Sequence, residues 1–141
     1  MIINHQNRVR VALPPLEKFA RQLRRAMRLN AREVSICLVS DAEMARLNKT
    51  FRGKRGPTDV LSFPENAKGS LRRASSTSLG DIAIAPMVAR RNAQHFGRTL
   101  PDELRILILH GVLHLMGYDH ETDSGQMERR ERLLRRRLDL E

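Results

Sequence analysis

The chain reads as a single domain in which short β-strands alternate with amphipathic helices. Three observations predict this. Its 141 residues suit one domain, large enough to bury roughly two-thirds of its unfolded surface. Apolar residues make up 40%, too many for wholesale disorder, yet no run approaches the ~20 apolar residues that a membrane-spanning helix needs. The apolar residues also fall into two patterns: short β-branched runs bounded by turn formers, and longer segments with three-to-four spacing.

Taken in order, residues 2–4 and 8–13 look extended, and Pro14-Pro15 then breaks the chain. Leu16, Phe19, Ala20, Leu23 and Met27 recur at helical spacing among Arg21, Arg24, Arg25 and Arg28, an amphipathic basic helix. Glu33 to Val39 has the composition of a strand. Ser40 followed by Glu43 forms a capping box that opens a short helix through Leu47. Phe51-Arg52-Gly53-Lys54-Arg55-Gly56-Pro57-Thr58 is a basic loop, and Val60 to Phe63 a short strand. Residues 64–79, with their serine run, read as a mobile loop within the same domain. Asp81 to Ala85 is an apolar strand, and Pro86 at its end starts a helix to about Phe96. Thr99, Pro101 and Asp102 signal a further helix. Its residues Leu104, Ile106, Leu107, Ile108, Leu109, Val112, Leu113 and Leu115 make it apolar on most sides, so it belongs in the core. A last helix, from about Asp123 to Leu138, is dominated by Arg and Glu.

The charge is uneven. Twenty-six Lys and Arg face 16 Asp and Glu, a net charge of +10. Residues 1–73 hold 16 basic and 6 acidic side chains, whereas residues 74–141 hold 10 of each. Arg outnumbers Lys 22 to 4, and the guanidinium suits bidentate phosphate contacts. An anionic partner is implied, with nucleic acid the first candidate. The single Cys37 forms no internal disulfide, and Met1-Ile2-Ile3-Asn4 leads into polar and basic sequence with no signal peptide, so a cytoplasmic protein is expected.

The core helix carries the chemistry. In His110-Gly111-Val112-Leu113-His114-Leu115-Met116-Gly117-Tyr118-Asp119-His120 the first two histidines stand four apart, so their rings share one helix face. Gly117 can end the helix in a left-handed turn and bring His120 back towards them. Three imidazoles with a fourth position open are the arrangement of a catalytic zinc. A lone histidine is more often a hydrogen-bonded core residue, but three in this spacing favour metal. The spacing is that of the metzincin proteases, which carry Glu directly after the first histidine as general base. Gly111 stands there instead, which disfavours peptide hydrolysis.

This block resembles the signature of the YbeY endoribonucleases, bacterial ribosomal RNA maturation factors. Leu47-Asn48-Lys49-Thr50-Phe51-Arg52-Gly53-Lys54, Pro57-Thr58-Asp59-Val60-Leu61-Ser62-Phe63-Pro64 and Gly80-Asp81-Ile82-Ala83-Ile84 agree in order and spacing, so the likeness spans about residues 33–135. The resemblance implies a single α+β domain over residues 1–141, a small mixed sheet packed with helices around a zinc-bearing central helix. It implies a metal-dependent endoribonuclease of single-stranded RNA, acting in 16S rRNA 3′ end maturation and ribosome quality control beside ribosomal or small-subunit proteins. One zinc ion would be held by His110, His114 and His120. Arg52 matches the family's functional arginine, so His114 and Arg52 are the expected catalytic residues, with Arg52, Lys54 and Arg55 on the substrate. Lys68, Arg72 and Arg73 depart from the family in the loop after Pro64.

Zinc would lower the pKa of a water or bind a phosphate oxygen, with Arg52 on the scissile phosphate. Asp119 is a candidate base or a partner for an imidazole N–H. A hydrolase of a non-RNA substrate, and an RNA-binding ribosomal factor with structural zinc, are the competing readings. His95 is expected at the surface or near the site without ligating, His5 as an ordinary terminal residue, and Met87 and Met127 in packing. Arg129 to Arg137 should form a salt-bridged face. With one Tyr and four Phe, aromatic stacking on bases is expected to be minor. Arg21, Arg24 and Arg25 are expected to hold the RNA backbone together with the 52–55 loop.

Overall fold

The computed structural model describes residues 1–29, 32–65, 78–119 and 121–140. Four strands form a mixed sheet: β1 (Ile2–Asn4), β2 (Glu33–Leu38), β3 (Val60–Pro64) and β4 (Ser78–Ile84), in the order β1-β2-β4-β3. β1, β2 and β4 run parallel, and β3 is antiparallel to β4. Five helices pack around them: α1 (Leu13–Ala26), α2 (Asp41–Arg52), α3 (Pro86–Phe96), α4 (Leu100–Leu115) and α5 (Gln126–Arg137). This is the single α+β domain expected. No helix among the described residues is long and apolar enough to cross a membrane.

The two-residue period of the strands divides the core. Ile36, Leu38, Ile82 and Ile84 join Leu16, Phe19 and Leu23 of α1 and Ile108, Leu109 and Val112 of α4 in the main cluster. Cys37, Leu61, Phe63 and Ala83 turn the other way, against Met44 and Leu47 of α2 and Val88 of α3. The sheet is therefore covered on both faces. As expected, α4 is the central helix, with most of its residues buried.

The capping signals act where the sequence places them. Ser40 Oγ accepts from the Glu43 N–H at 3.2 Å, and Thr99 Oγ1 from the Asp102 N–H at 3.2 Å. Gly117, at φ 95°, ends α4 with its N–H on the His114 carbonyl at 2.9 Å and the Tyr118 N–H on the Leu113 carbonyl at 3.1 Å, a Schellman turn.

Four elements differ from expectation. Pro14 and Pro15 do not break the chain. They sit in the first turn of α1, where a missing N–H costs no hydrogen bond. Residues 8–13 form no strand, because Gln6 folds the chain locally: its Nε2 donates to the Val9 carbonyl at 2.8 Å and its Oε1 accepts the Val9 N–H at 2.9 Å. α2 runs past Leu47 to Arg52 and stops at Gly53, at φ 67°. The loop expected over 64–79 has its ends in the sheet, since Pro64 closes β3 and Ser78 and Leu79 open β4. Residues 66–77, with Lys68, Arg72 and Arg73, lie outside the described residues.

Gly111 sets the distance between α4 and the sheet. A Cβ there would stand 2.8 Å from Ile82 Cδ1 and 3.1 Å from its Cγ2, and Ile82 is itself only 1% exposed, with nowhere to move. Gly111→Ala is expected to destabilise the fold by about 1–3 kcal/mol, the usual scale of core overpacking. Urea denaturation should show a lower midpoint at unchanged slope, and Ile82→Val, which removes Cδ1, should recover part of the loss.

Candidate active site

His110 and His114 leave the last two turns of α4 on the side facing β3. Their rings are 4.6 Å apart at the centroids, and the two Nε2 atoms are 3.1 Å apart. Two nitrogens bound to one tetrahedral zinc, each ~2.05 Å from it, would stand about 3.3 Å apart. The pair therefore already has the separation of two ligands sharing a cation. Behind it, His110 Nδ1 lies 3.1 Å from Glu131 Oε1 of α5, and Arg135 donates to Glu131 Oε2 at 3.2 Å. A carboxylate only accepts, so Nδ1 carries the proton and Nε2, which meets His114 Nε2, keeps its lone pair. This is the outer partner that metal-binding histidines usually have.

The histidines open into a cleft of about 560 Å³ at the β3 edge of the sheet. Residues 58–64 form one wall. Phe51 and Arg52, at the end of α2, line the cleft beside them, and Asp119 and Glu121 complete the lining. The cleft thus joins two imidazoles, a guanidinium and carboxylates in one solvent-accessible space.

The family model of endoribonuclease YbeY matches residues 1–139. The chain belongs to the YbeY endoribonuclease family. It is 44% identical over 127 residues to the endoribonuclease YbeY of Solibacter usitatus, covering 90% of this chain and 80% of that one. With the Koribacter versatilis protein it shares 42% over 140 residues, covering 99% and 86%. The solution structure of TM1509 from Thermotoga maritima superposes with a TM-score of 0.65 at 30% identity, covering 98% of this chain and 89% of that one. Membership of the YbeY family makes the chain an endoribonuclease, a hydrolase of phosphodiester bonds whose substrate is RNA.

Of the residues expected to act in this YbeY domain, the structure brings His110, His114 and Arg52 to one cleft. His120 lies outside the described residues. Among the described residues no group of three His, Cys, Asp or Glu side chains converges as a metal site. Lys54 and Arg55 are exposed on the loop after Gly53 and do not line the cleft. Nor do Arg21, Arg24 and Arg25: α1 packs by the β1 edge, where Glu17 accepts the Ile2 N–H at 3.3 Å. Asp119 faces the cleft, but its carboxylate accepts the Glu121 N–H at 3.0 Å. Glu131 is a carboxylate partner of an imidazole N–H, at His110 Nδ1. His95 is exposed against Phe96, His5 is exposed near the N-terminus, and Met127 is buried in the core.

Glu131 was readable only as part of the charged last helix. That face exists, with Arg132 on Glu128 at 2.8 Å, but Glu131 falls on the inward stripe of Met127 and Leu134, both buried. A carboxylate on the apolar stripe of a helix is the signal that could have found it. Glu131→Ala should release the His110 ring, so that nitrogen NMR of the imidazole shows a mixture of tautomers. Glu131→Gln, which can still accept from Nδ1, should keep a single one.

Proposed function

We propose that this chain cleaves single-stranded RNA in the cytoplasm with one zinc ion held by His110, His114 and His120. We assign it to 16S rRNA 3′ end maturation and ribosome quality control, working beside ribosomal or small-subunit proteins. What carries the reading is the pair of Nε2 atoms 3.1 Å apart in an open cleft, with Glu131 behind one of them.

A cation bound there would supply Lewis-acid polarisation of a phosphate oxygen and a lowered pKa for a water. The protein's own groups do the rest. Glu131 fixes the proton of the His110 ring on Nδ1 and leaves Nε2 its lone pair, and Arg135 holds Glu131. Arg52, lining the same cleft, presents a planar donor fork to the scissile phosphate and offsets charge developing on it. Lys54 and Arg55, exposed on the following loop, extend the cationic surface along the RNA backbone. Peptide hydrolysis through a glutamate base fits poorly, because position 111 is pressed against Ile82 and has no room for a side chain.

His114→Ala is expected to lose zinc, measured by elemental analysis of purified protein, together with cleavage of single-stranded rRNA fragments. Full cleavage by that zinc-free variant would sink the reading. Arg52→Ala should keep its zinc and lose about 10²–10³-fold in cleavage rate, the scale of removing one donor to a developing charge.

A further inference from the structure

We propose that Phe51, backed by Phe63, is a stacking shelf for one unpaired nucleobase of the RNA, beside the Arg52 guanidinium that takes a phosphate. The proposal rests on the RNA-cleaving reading of the same cleft. It departs from the expectation that so few aromatic residues leave stacking a minor role.

The four phenylalanines are not spread evenly. Phe19 is buried in the core, and Phe96, far from the cleft, lies under the Arg98 guanidinium at 4.9 Å. The other two, Phe51 and Phe63, both line the active-site cleft. Phe51 continues the inward stripe of α2 set by Met44, Leu47 and Asn48 and meets Phe63 of β3, yet its ring stays open to solvent. It is 46% exposed, whereas Met44 one face-repeat earlier is fully buried. An aromatic ring left open to water inside a functional cleft is poised to gain from a ligand that covers it.

The geometry limits what that ligand can be. The Phe51 and Phe63 centroids are 5.1 Å apart at an interplanar angle of 72°. A perpendicular pair uses the edge of one ring and one face of the other, so at least one face of Phe51 remains for a flat partner. The ring is also braced by this contact and by its place in the last turn of α2, so stacking orders little that is loose. The next residue, Arg52, brings a cation to the same wall. A planar ring with an anion attached a short distance away is a nucleotide. In a duplex both faces of each base are already stacked and its edge is paired, so only an unpaired base can use the shelf without breaking pairs. Phe51 would thus be the part of the cleft that selects single strands.

The chain contains no Trp, so Phe51→Trp creates a unique fluorescent reporter. Its emission should be quenched on titration with a 2′-O-methyl single-stranded oligonucleotide. The same sequence as a duplex, or an abasic oligomer of equal length, should leave it unchanged. Phe51→Ala should bind the single strand about five- to 150-fold more weakly, the range of one base–aromatic stack, with zinc content and abasic-oligomer affinity unaltered. Single-strand affinity equal to that of the native chain, or an equal loss on the abasic oligomer, would overturn the shelf. A native protein that does not prefer single strands to duplex would instead overturn the single-strand reading of the whole site.

Discussion

Helix α4 can lie as close to β4 as it does because residue 111 has no side chain, and much else follows from that contact. The Gly111 carbonyl accepts from Ser62 Oγ of β3 at 3.0 Å, so the helix is tied to β3 as well as pressed onto Ile82 of β4. His110 precedes this point and His114 follows it by one turn less a residue. Both rings therefore emerge at the β3 edge, where the sheet ends and the cleft begins. The contact that places the imidazoles also denies the neighbouring position any carboxylate. One packing constraint thus separates this site from a peptidase with the same histidine spacing.

What could be read from the sequence was whatever is decided within a turn or two of chain. Ser40, Thr99 and Gly117 each act on residues two to four positions away, and each caps its helix as its local pattern implies. The pairing of His110 with His114 is a matter of helical repeat alone. Pro14-Pro15 misled because proline is compatible with two outcomes, a break or a first turn, and only the folded chain selects between them. Glu131 and Phe51 were hidden for a different reason. The first acts on a residue 21 positions earlier. The second meets Phe63 of β3 and still stays half exposed, which no local pattern encodes.

The uneven charge needs a similar separation of scales. The surplus of the first half is real, yet among the described residues Arg52 is the cation from it that lines the cleft, while α1 packs by the opposite edge of the sheet. A net charge of +10 acts as a field over the whole molecule, raising the local concentration of a polyanion and its rate of encounter. Chemistry at one phosphate is a short-range matter for the groups in the cleft. Composition speaks to the first and is silent on the second.

The placement of Glu131 has a thermodynamic corollary. α5 docks through few buried side chains, Met127 and Leu134 chief among them, and through its carboxylate on His110. Whatever engages the far nitrogen of that ring favours the conformation in which α5 is docked, and docking of α5 favours that engagement by the same factor. Local unfolding of the last helix and occupancy of the cleft are thereby linked equilibria. A loosened contact around Leu134, remote from any reacting atom, is felt at the histidines as lost affinity.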